Sequence, residues 1–79
     1  MQTEIDQVIG IVCEVGQLPA IGPDDDVFDA GFSSVRSLEL LIRLEDTFNV
    51  SIPDDQFISC RTARALCEIV TKTQREETS

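Results

Sequence analysis

Apolar residues recur at helical spacing in three long segments of this 79-residue chain. In the first segment, from Thr3 to Val15, they repeat every three or four positions, which predicts an amphipathic helix that Gly16 ends. The apolar positions of this helix are Ile5, Val8, Ile9 and Val12. Residues 17–33 are instead rich in Gly, Pro and Asp, which is typical of a long loop. A loop of this length in so small a protein is usually functional or else wrongly assigned.

The second predicted helix extends from about Ser34 to about Phe48. Its core-facing stripe is predicted to consist of Leu38, Leu41, Ile42 and Phe48. Leu40 and Leu44 widen the apolar surface, which indicates a central helix that is contacted on several sides. Asn49 is expected to end the helix, because Asn tolerates the left-handed conformation better than most residues.

Two further helices are predicted after the second one. Pro53 suits the first turn of a short helix near Asp54 to Ile58. The last helix is expected from about Ala63 to Lys72, with Thr62 as its N-terminal cap. Its inward-facing residues are predicted to be Leu66, Ile69 and Val70. Since no segment has the alternation of a strand, the pattern predicts an all-α bundle of three main helices and one short helix.

The length of the chain and its charge narrow the possible functions. We expect a single domain over residues 1–79, ordered from about residue 3 to 73, with a polar tail, Thr71 to Ser79, that frays. The net charge is −9, and nine acidic residues against two arginines lie between Asp24 and Asp55. Nucleic acid and membranes are therefore not expected partners, because binding them needs an excess of Lys and Arg. A basic protein surface is a better candidate, although an acidic face also serves solubility alone.

The reactive residue types are few. Histidine is absent, which removes the commonest general base and metal ligand, so neither a catalytic residue nor a metal site is expected. The odd number of cysteines, Cys13, Cys60 and Cys67, and the lack of a leader sequence predict a cytoplasmic protein with reduced thiols. We also expect a monomer. The Asp24-Asp25-Asp26 run does not match a calcium-binding EF-hand loop, which needs Gly at its sixth position and Glu at its twelfth.

Ser34 lies where the long loop meets the second predicted helix. The start of a helix stabilises an anion, because free backbone N–H groups and the helix dipole both favour negative charge there. A phosphodiester on the Ser34 hydroxyl would take that position and point away from the core, and Gly31 would let the chain turn sharply before it. The alternative is that Ser33 caps the helix and Ser34 only begins it, since serine is a common cap.

Short motifs surround Ser34 at specific spacings. They are Phe28-Asp29-x-Gly31 before the serine, Glu45-Asp46-x-Phe48 at the end of the second helix, Ile52-Pro53-Asp54 beyond it, and Arg61-Thr62 before the last helix. This arrangement resembles the acyl carrier protein family over essentially the whole chain. The resemblance implies a four-helix carrier-protein bundle in which Ser34 bears a covalent 4′-phosphopantetheine arm.

The same resemblance implies a carrier and not an enzyme. A phosphopantetheinyl transferase would modify Ser34, a ligase would load an acyl or aminoacyl group onto the arm as a thioester, and downstream biosynthetic enzymes would receive it. The second helix would be the docking surface, with the expected contacts Val35, Arg36, Leu38, Glu39, Ile42 and Arg43. The competing class is an acidic helical adaptor that is never modified.

Two departures from the family pattern favour a specialised carrier over the housekeeping carrier of fatty-acid synthesis. The family has an aspartate before the attachment serine and a leucine after it, where this chain has Ser33 and Val35. Arg36 and Arg43 also place positive charge on a helix that is normally acidic in fatty-acid carriers. Both changes indicate a dedicated loading enzyme.

Overall fold

Four α-helices and one 3₁₀ turn form the regular structure of the computed structural model, which describes residues 3–78 and, within its helices, the side chains of residues 4–76. The helices are α1 (Thr3–Gly16), α2 (Ser37–Phe48), α3 (Asp54–Ile58) and α4 (Ala63–Thr78). The 3₁₀ turn, Ser34–Arg36, leads directly into α2. The predicted all-α bundle of three main helices and one short helix is confirmed. No helix within residues 3–78 has the length and apolar character needed to cross a membrane.

The core is aliphatic and lies where α1, α2 and α4 pack together. Its largest fully buried side chains are Val8, Val12, Val27, Leu44, Leu66 and Val70. Burying one such side chain contributes roughly 1.5–3 kcal/mol. In α1 the predicted stripe is right for Val8 and Val12, while the buried side chains of Ile11 and Val15 were not predicted.

The end of α1 differs from the prediction, because Gly16 is still helical. Gln17 takes the left-handed conformation instead, with φ 56°, and the Leu18 N–H donates to the Cys13 carbonyl at 2.9 Å. Gly16 is needed for a different reason: a Cβ atom there would lie 2.5 Å from the ring of Phe32. The glycine therefore lets the loop pack directly against α1.

The predicted core stripe of α2 is only partly right. Leu40, Leu41 and Leu44 are buried, whereas Leu38 and Ile42 are 66% and 49% exposed. Residues two apart on a helix lie about 200° from one another, so the 40/44 pair and the 38/42 pair occupy opposite sides. The helix thus has two apolar faces, and the core takes the one that packs against α1 and α4.

The end of α2, the bounds of α3 and the start of α4 agree with the sequence prediction. Asn49 has φ 57° and ψ 51° and ends α2 as predicted, and α3 has the predicted bounds. The Thr62 hydroxyl accepts a hydrogen bond from the Ala65 N–H at 3.1 Å, which confirms it as the cap of α4.

The predicted end of α4 at Lys72 is wrong, since the helix continues through Thr78. Thr73 is buried there, and its hydroxyl donates to the Ile69 carbonyl at 2.8 Å. Fraying of the tail stays a prediction.

Candidate functional site

Ser34 occupies the first position of the 3₁₀ turn. The residue before it, Ser33, is extended, and its side-chain oxygen accepts a hydrogen bond from the Val35 N–H at 3.3 Å. Ser33 is therefore the cap, and Ser34 begins the helical turn. Ser34 is exposed, and its hydroxyl makes no hydrogen bond with any residue that the structure describes. This oxygen lies at the start of a helical turn, where backbone N–H groups favour negative charge.

Phe32 fixes the chain just before the serines. It is buried, with 4% of its surface exposed, and its N–H donates to the Val27 carbonyl at 2.9 Å. Its ring packs edge-on against Phe28, with ring centres 6.0 Å apart. Gly31 precedes it with φ +115°, a conformation that side chains rarely adopt. The predicted sharp turn at Gly31 is confirmed, and it brings the chain from the loop into the core and out again at Ser33.

Two ion pairs join the long loop to the start of α4. The Asp24 carboxylate accepts from the Arg64 side chain at 2.7 Å, and Asp26 accepts from Arg61 at 2.6 Å. We call these four residues the loop latch. Hydrogen bonding to Arg64 lowers the pKa of Asp24 below its usual 3.8, and hydrogen bonding to Arg61 lowers the pKa of Asp26 in the same way.

Backbone hydrogen bonds reinforce the loop latch. The Val27 N–H donates to the Arg61 carbonyl at 2.8 Å, and the Arg64 N–H donates to the Pro23 carbonyl at 2.9 Å. The Arg61 guanidinium also lies 5.0 Å from the centre of the Phe28 ring, a favourable cation–π distance. The loop that leads to Ser34 is therefore held in place through two of its acidic residues, Asp24 and Asp26, and through Phe28.

Three of the predicted docking residues form an apolar stripe that begins beside Ser34. Val35 is 88% exposed, Leu38 66% and Ile42 49%. Their spacing of three and four residues places them along one face of the 3₁₀ turn and α2. Glu39 is exposed beside them. We call Val35, Leu38 and Ile42 the apolar stripe.

The other two predicted docking residues contact α1. Arg36 donates to the Val15 carbonyl in the last turn of α1 at 3.3 Å, and Arg43 forms a hydrogen-bonded ion pair with Glu14. Cations are favoured at the C-terminal end of a helix, where carbonyl groups lack partners. Both arginines therefore join α1 to α2 and offset local negative charge. The sequence pattern did not predict these contacts.

Sequence reasoning also missed Ile58, the last residue of α3, which is 76% exposed. It lines a small apolar cavity that also touches Ser37, one helical turn after Ser34. Periodicity over a five-residue helix is too short to show which side faces solvent. In the sequence, the one sign of an exposed apolar side chain was the position of Ile58 at the end of the predicted short helix.

The three cysteines are free and half-buried. Burial, with a smaller contribution from Glu68, raises the pKa of the Cys60 thiol. Burial, followed by the charge of Glu4, raises the pKa of Cys67. A raised pKa keeps a thiol protonated and weakly nucleophilic.

Ser34 is thus an exposed serine at the start of a helical turn on a small α-helical bundle. The sequence profile of the family described as "Phosphopantetheine attachment site" matches residues 6–70. The chain therefore belongs to the acyl carrier protein family. Its members carry acyl groups on covalent 4′-phosphopantetheine and do not catalyse reactions.

Individual relatives agree with this assignment. The D-alanyl carrier proteins of Streptococcus pyogenes serotypes M5 and M1 are each 46% identical over 35 residues, which is 43% of this chain and 44% of the relative. The match thus spans less than half the length of these curated relatives.

Solved structures share the fold of the chain. An acyl carrier protein from Thermotoga maritima gives a TM-score of 0.79 at 24% identity, over 96% of this chain and 92% of that one. The acetyl actinorhodin acyl carrier protein of Streptomyces coelicolor gives 0.68 at 25% identity, over 98% and 93%. A docking-domain complex of the Pax NRPS gives 0.84 at 24% identity, over 95% and 72%.

Proposed function

We propose that this protein is a specialised discrete carrier that holds an acyl or aminoacyl thioester on a 4′-phosphopantetheine arm attached to Ser34. The observation that carries the assignment to Ser34 is its exposed, unbonded hydroxyl at the first residue of the 3₁₀ turn. Ser33 is the neighbouring hydroxyl, but it accepts the capping hydrogen bond from Val35. Modifying Ser33 would compete with that cap, whereas modifying Ser34 would not.

In the priming reaction, the Ser34 oxygen displaces the nucleotide part of coenzyme A at phosphorus. The oxygen–phosphorus bond to Ser34 forms, the phosphoanhydride bond to the nucleotide breaks, and the hydroxyl proton passes to a base of the transferase. The carrier contributes a nucleophilic oxygen held clear of the fold, because Ser33 and the buried Phe32 fix the backbone before it. When bound, the arm supplies the terminal thiol that holds the cargo.

Two features support a specialised role. Ser33 keeps the capping hydrogen bond but lacks the negative charge of the aspartate found in the family motif. Arg36 and Arg43 offset acidic charge at the junction of α1 and α2. Both features reduce attraction to a basic partner surface. The likeness to D-alanyl carrier proteins supports an aminoacyl cargo loaded by an adenylating ligase.

The apolar stripe and Glu39 are proposed as the centre of the docking surface, with Arg36 and Arg43 at its border. The stripe begins directly after Ser34, so a bound enzyme would cover both the stripe and the base of the arm. The transferase, the loading ligase and the biosynthetic enzymes would use this surface in turn. The protein is proposed to act as a cytoplasmic monomer.

Intact-mass measurement tests the proposal directly. The purified protein is incubated with coenzyme A and a promiscuous phosphopantetheinyl transferase, and Ser34→Ala is the control. One phosphopantetheinyl mass on the wild-type protein, absent from Ser34→Ala, is the expected result. An unchanged wild-type mass would favour the unmodified adaptor.

A further inference from the structure

A small apolar cavity lies beneath the start of α2. It has a volume of about 40 Å³ and is lined by Val27, Phe28, Ser37, Leu40, Phe57, Ile58, Cys60 and Leu66. Ser37 is one helical turn after Ser34, so this cavity lies close along the helix to the proposed attachment point. Its size is close to the share of one liquid water molecule, about 30 Å³, and far below the roughly 150 Å³ of a cavity that accepts benzene.

The loop side of this cavity is held in place by packing. Val27 is fully buried, and its N–H is bonded to the Arg61 carbonyl. Phe28 lies between the Phe32 ring and the Arg61 guanidinium. Enlarging the cavity on this side would require Val27 and Phe28 to move together, because they are adjacent in one fixed segment.

The loop latch holds the same segment to α4. Asp26 directly precedes Val27, and it bonds both the Arg61 side chain and the Phe28 N–H, the latter at 2.9 Å. Asp24 adds its pair with Arg64. On the loop side, the cavity wall can therefore move away only if these ion pairs and the backbone hydrogen bond between Val27 and Arg61 are released.

We propose that the loop latch keeps this cavity closed to cargo, so that the thioester-bound group stays in solvent and belongs to the small, polar aminoacyl class. This inference rests on the proposed attachment at Ser34. A long apolar chain left in water would lose the stabilisation of burial. A charged amino group, in contrast, would lose hydration on entering an apolar cavity. A closed cavity therefore suits a small aminoacyl group and leaves a long acyl chain without a site.

The test compares cargo protection in the wild-type protein and in a variant whose latch is released. A promiscuous transferase transfers acetyl, alanyl or octanoyl phosphopantetheine from the corresponding coenzyme A thioester to Ser34. Each hydrolysis rate is measured by intact mass and divided by the rate of the matching free pantetheine thioester. Backbone amide shifts of Leu40 and Leu66 report occupation of the cavity.

In the wild-type protein, all three cargoes are expected to hydrolyse at the rates of the free thioesters, without shifts at Leu40 and Leu66. In Asp24→Asn/Asp26→Asn, the octanoyl thioester is expected to be protected. A cargo enclosed for nine-tenths of the time hydrolyses roughly tenfold more slowly. Asp29→Asn, in the same loop but without an arginine partner among the described residues, should behave as wild type.

Slow hydrolysis of the octanoyl thioester in the wild-type protein, together with amide shifts at Leu40 and Leu66, would show that the cavity is open to cargo and contradict the proposal. If the octanoyl thioester on Asp24→Asn/Asp26→Asn hydrolyses as fast as the free thioester, the proposed role of the loop latch is wrong. If circular dichroism shows that the double variant is unfolded, the single variant Asp24→Asn takes its place. Failure to load Ser34 at all would contradict the proposed function instead, so the two failures are distinguishable.

Discussion

The side-chain oxygen of Ser33 accepts a hydrogen bond from the backbone N–H of Val35. This contact assigns different roles to two adjacent serines, because it leaves the Ser34 hydroxyl unbonded among the residues that the structure describes. Capping requires only an oxygen acceptor, whereas the aspartate of the family motif would also bring a negative charge. In this chain Ser33 supplies the oxygen that caps the helical turn, without the negative charge of an aspartate.

Substitution of the two serines should separate modification from stability. Ser34→Ala is expected to abolish phosphopantetheinylation and leave stability nearly unchanged. Ser33→Ala should still be modified, but loss of the cap should lower the free energy of unfolding by about 1 kcal/mol. Intact mass and urea denaturation measure the two effects. Modification of Ser34→Ala would show that the site is wrongly assigned.

Restoring the aspartate should improve priming by a general transferase. Ser33→Asp keeps an oxygen acceptor for the Val35 N–H and adds a negative charge beside Ser34. We expect faster modification at low salt and a smaller gain at high salt, since exposed charges are screened over about 10 Å at 0.1 M salt. Ser33→Asn is the matched control, because it caps without the charge. Equal rates for the Asp and Asn variants would exclude a role for charge.

The sequence predicts the helices well where local chemistry decides their ends. Thr62 caps α4 through its hydroxyl, and Asn49 ends α2 in a left-handed conformation, as their residue types indicate. The end of α4 was missed, because Thr71 and Thr73 read as polar tail residues. Their hydroxyls in fact bond to carbonyls four residues earlier within the helix.

At the candidate site, the sequence alone does not predict contacts between residues that lie far apart in the chain. The position of Ser34 follows from its motif, but the contacts of Arg36 and Arg43 with α1 depend on how two helices pack. The same holds for the pairs of the loop latch, whose partners are 35 or 40 residues apart in sequence. Periodicity also detected both apolar faces of α2 without showing which one is buried.

The two apolar faces of α2 should respond differently to truncation. Leu38→Ala and Ile42→Ala, on the exposed stripe, are expected to slow loading or transfer by a partner enzyme while leaving stability within about 0.5 kcal/mol of wild type. Leu44 is fully buried, so Leu44→Ala should cost about 2–5 kcal/mol. Urea denaturation measures the change in stability, and the rate of thioester formation on the phosphopantetheinylated protein measures loading. Normal loading in Leu38→Ala/Ile42→Ala would exclude the stripe as a docking contact.

Removing the Arg43 charge should change partner preference more than stability. The Arg43–Glu14 pair is partly exposed, and such pairs contribute about 0–1 kcal/mol. Arg43→Gln leaves the Glu14 charge without its partner and makes this region more acidic, which should speed loading by a housekeeping malonyl transferase with a basic docking surface. The Arg43→Gln/Glu14→Gln double variant restores the net charge and serves as the control. Efficient malonylation of the wild-type protein would contradict the specialised role.

Acid should weaken the attachment of the loop to α4. Pairing with Arg64 and Arg61 depresses the pKa values of Asp24 and Asp26 in the folded protein. A depressed carboxyl pKa adds stability above the usual value of 3.8, and this stability is lost as pH falls through the lower folded value. Hydrogen bonding to Asp24 raises the pKa of Arg64, and the charge of the nearby Glu68 also raises it, with a smaller effect than that of Asp24.

We therefore expect the free energy of unfolding to fall more steeply below pH 3.8 in the wild-type protein than in Asp24→Asn/Asp26→Asn. Urea denaturation on both sides of that pH measures the slopes. Because Asp24 is exposed and Asp26 is only half-buried, high salt should reduce the difference between the two proteins. Identical slopes at low salt would mean that the latch carboxylates titrate alike in the folded and unfolded chains, so that the arginine pairs contribute nothing to stability. In that case the loop is held by its backbone hydrogen bonds and by Phe28 and Phe32 alone.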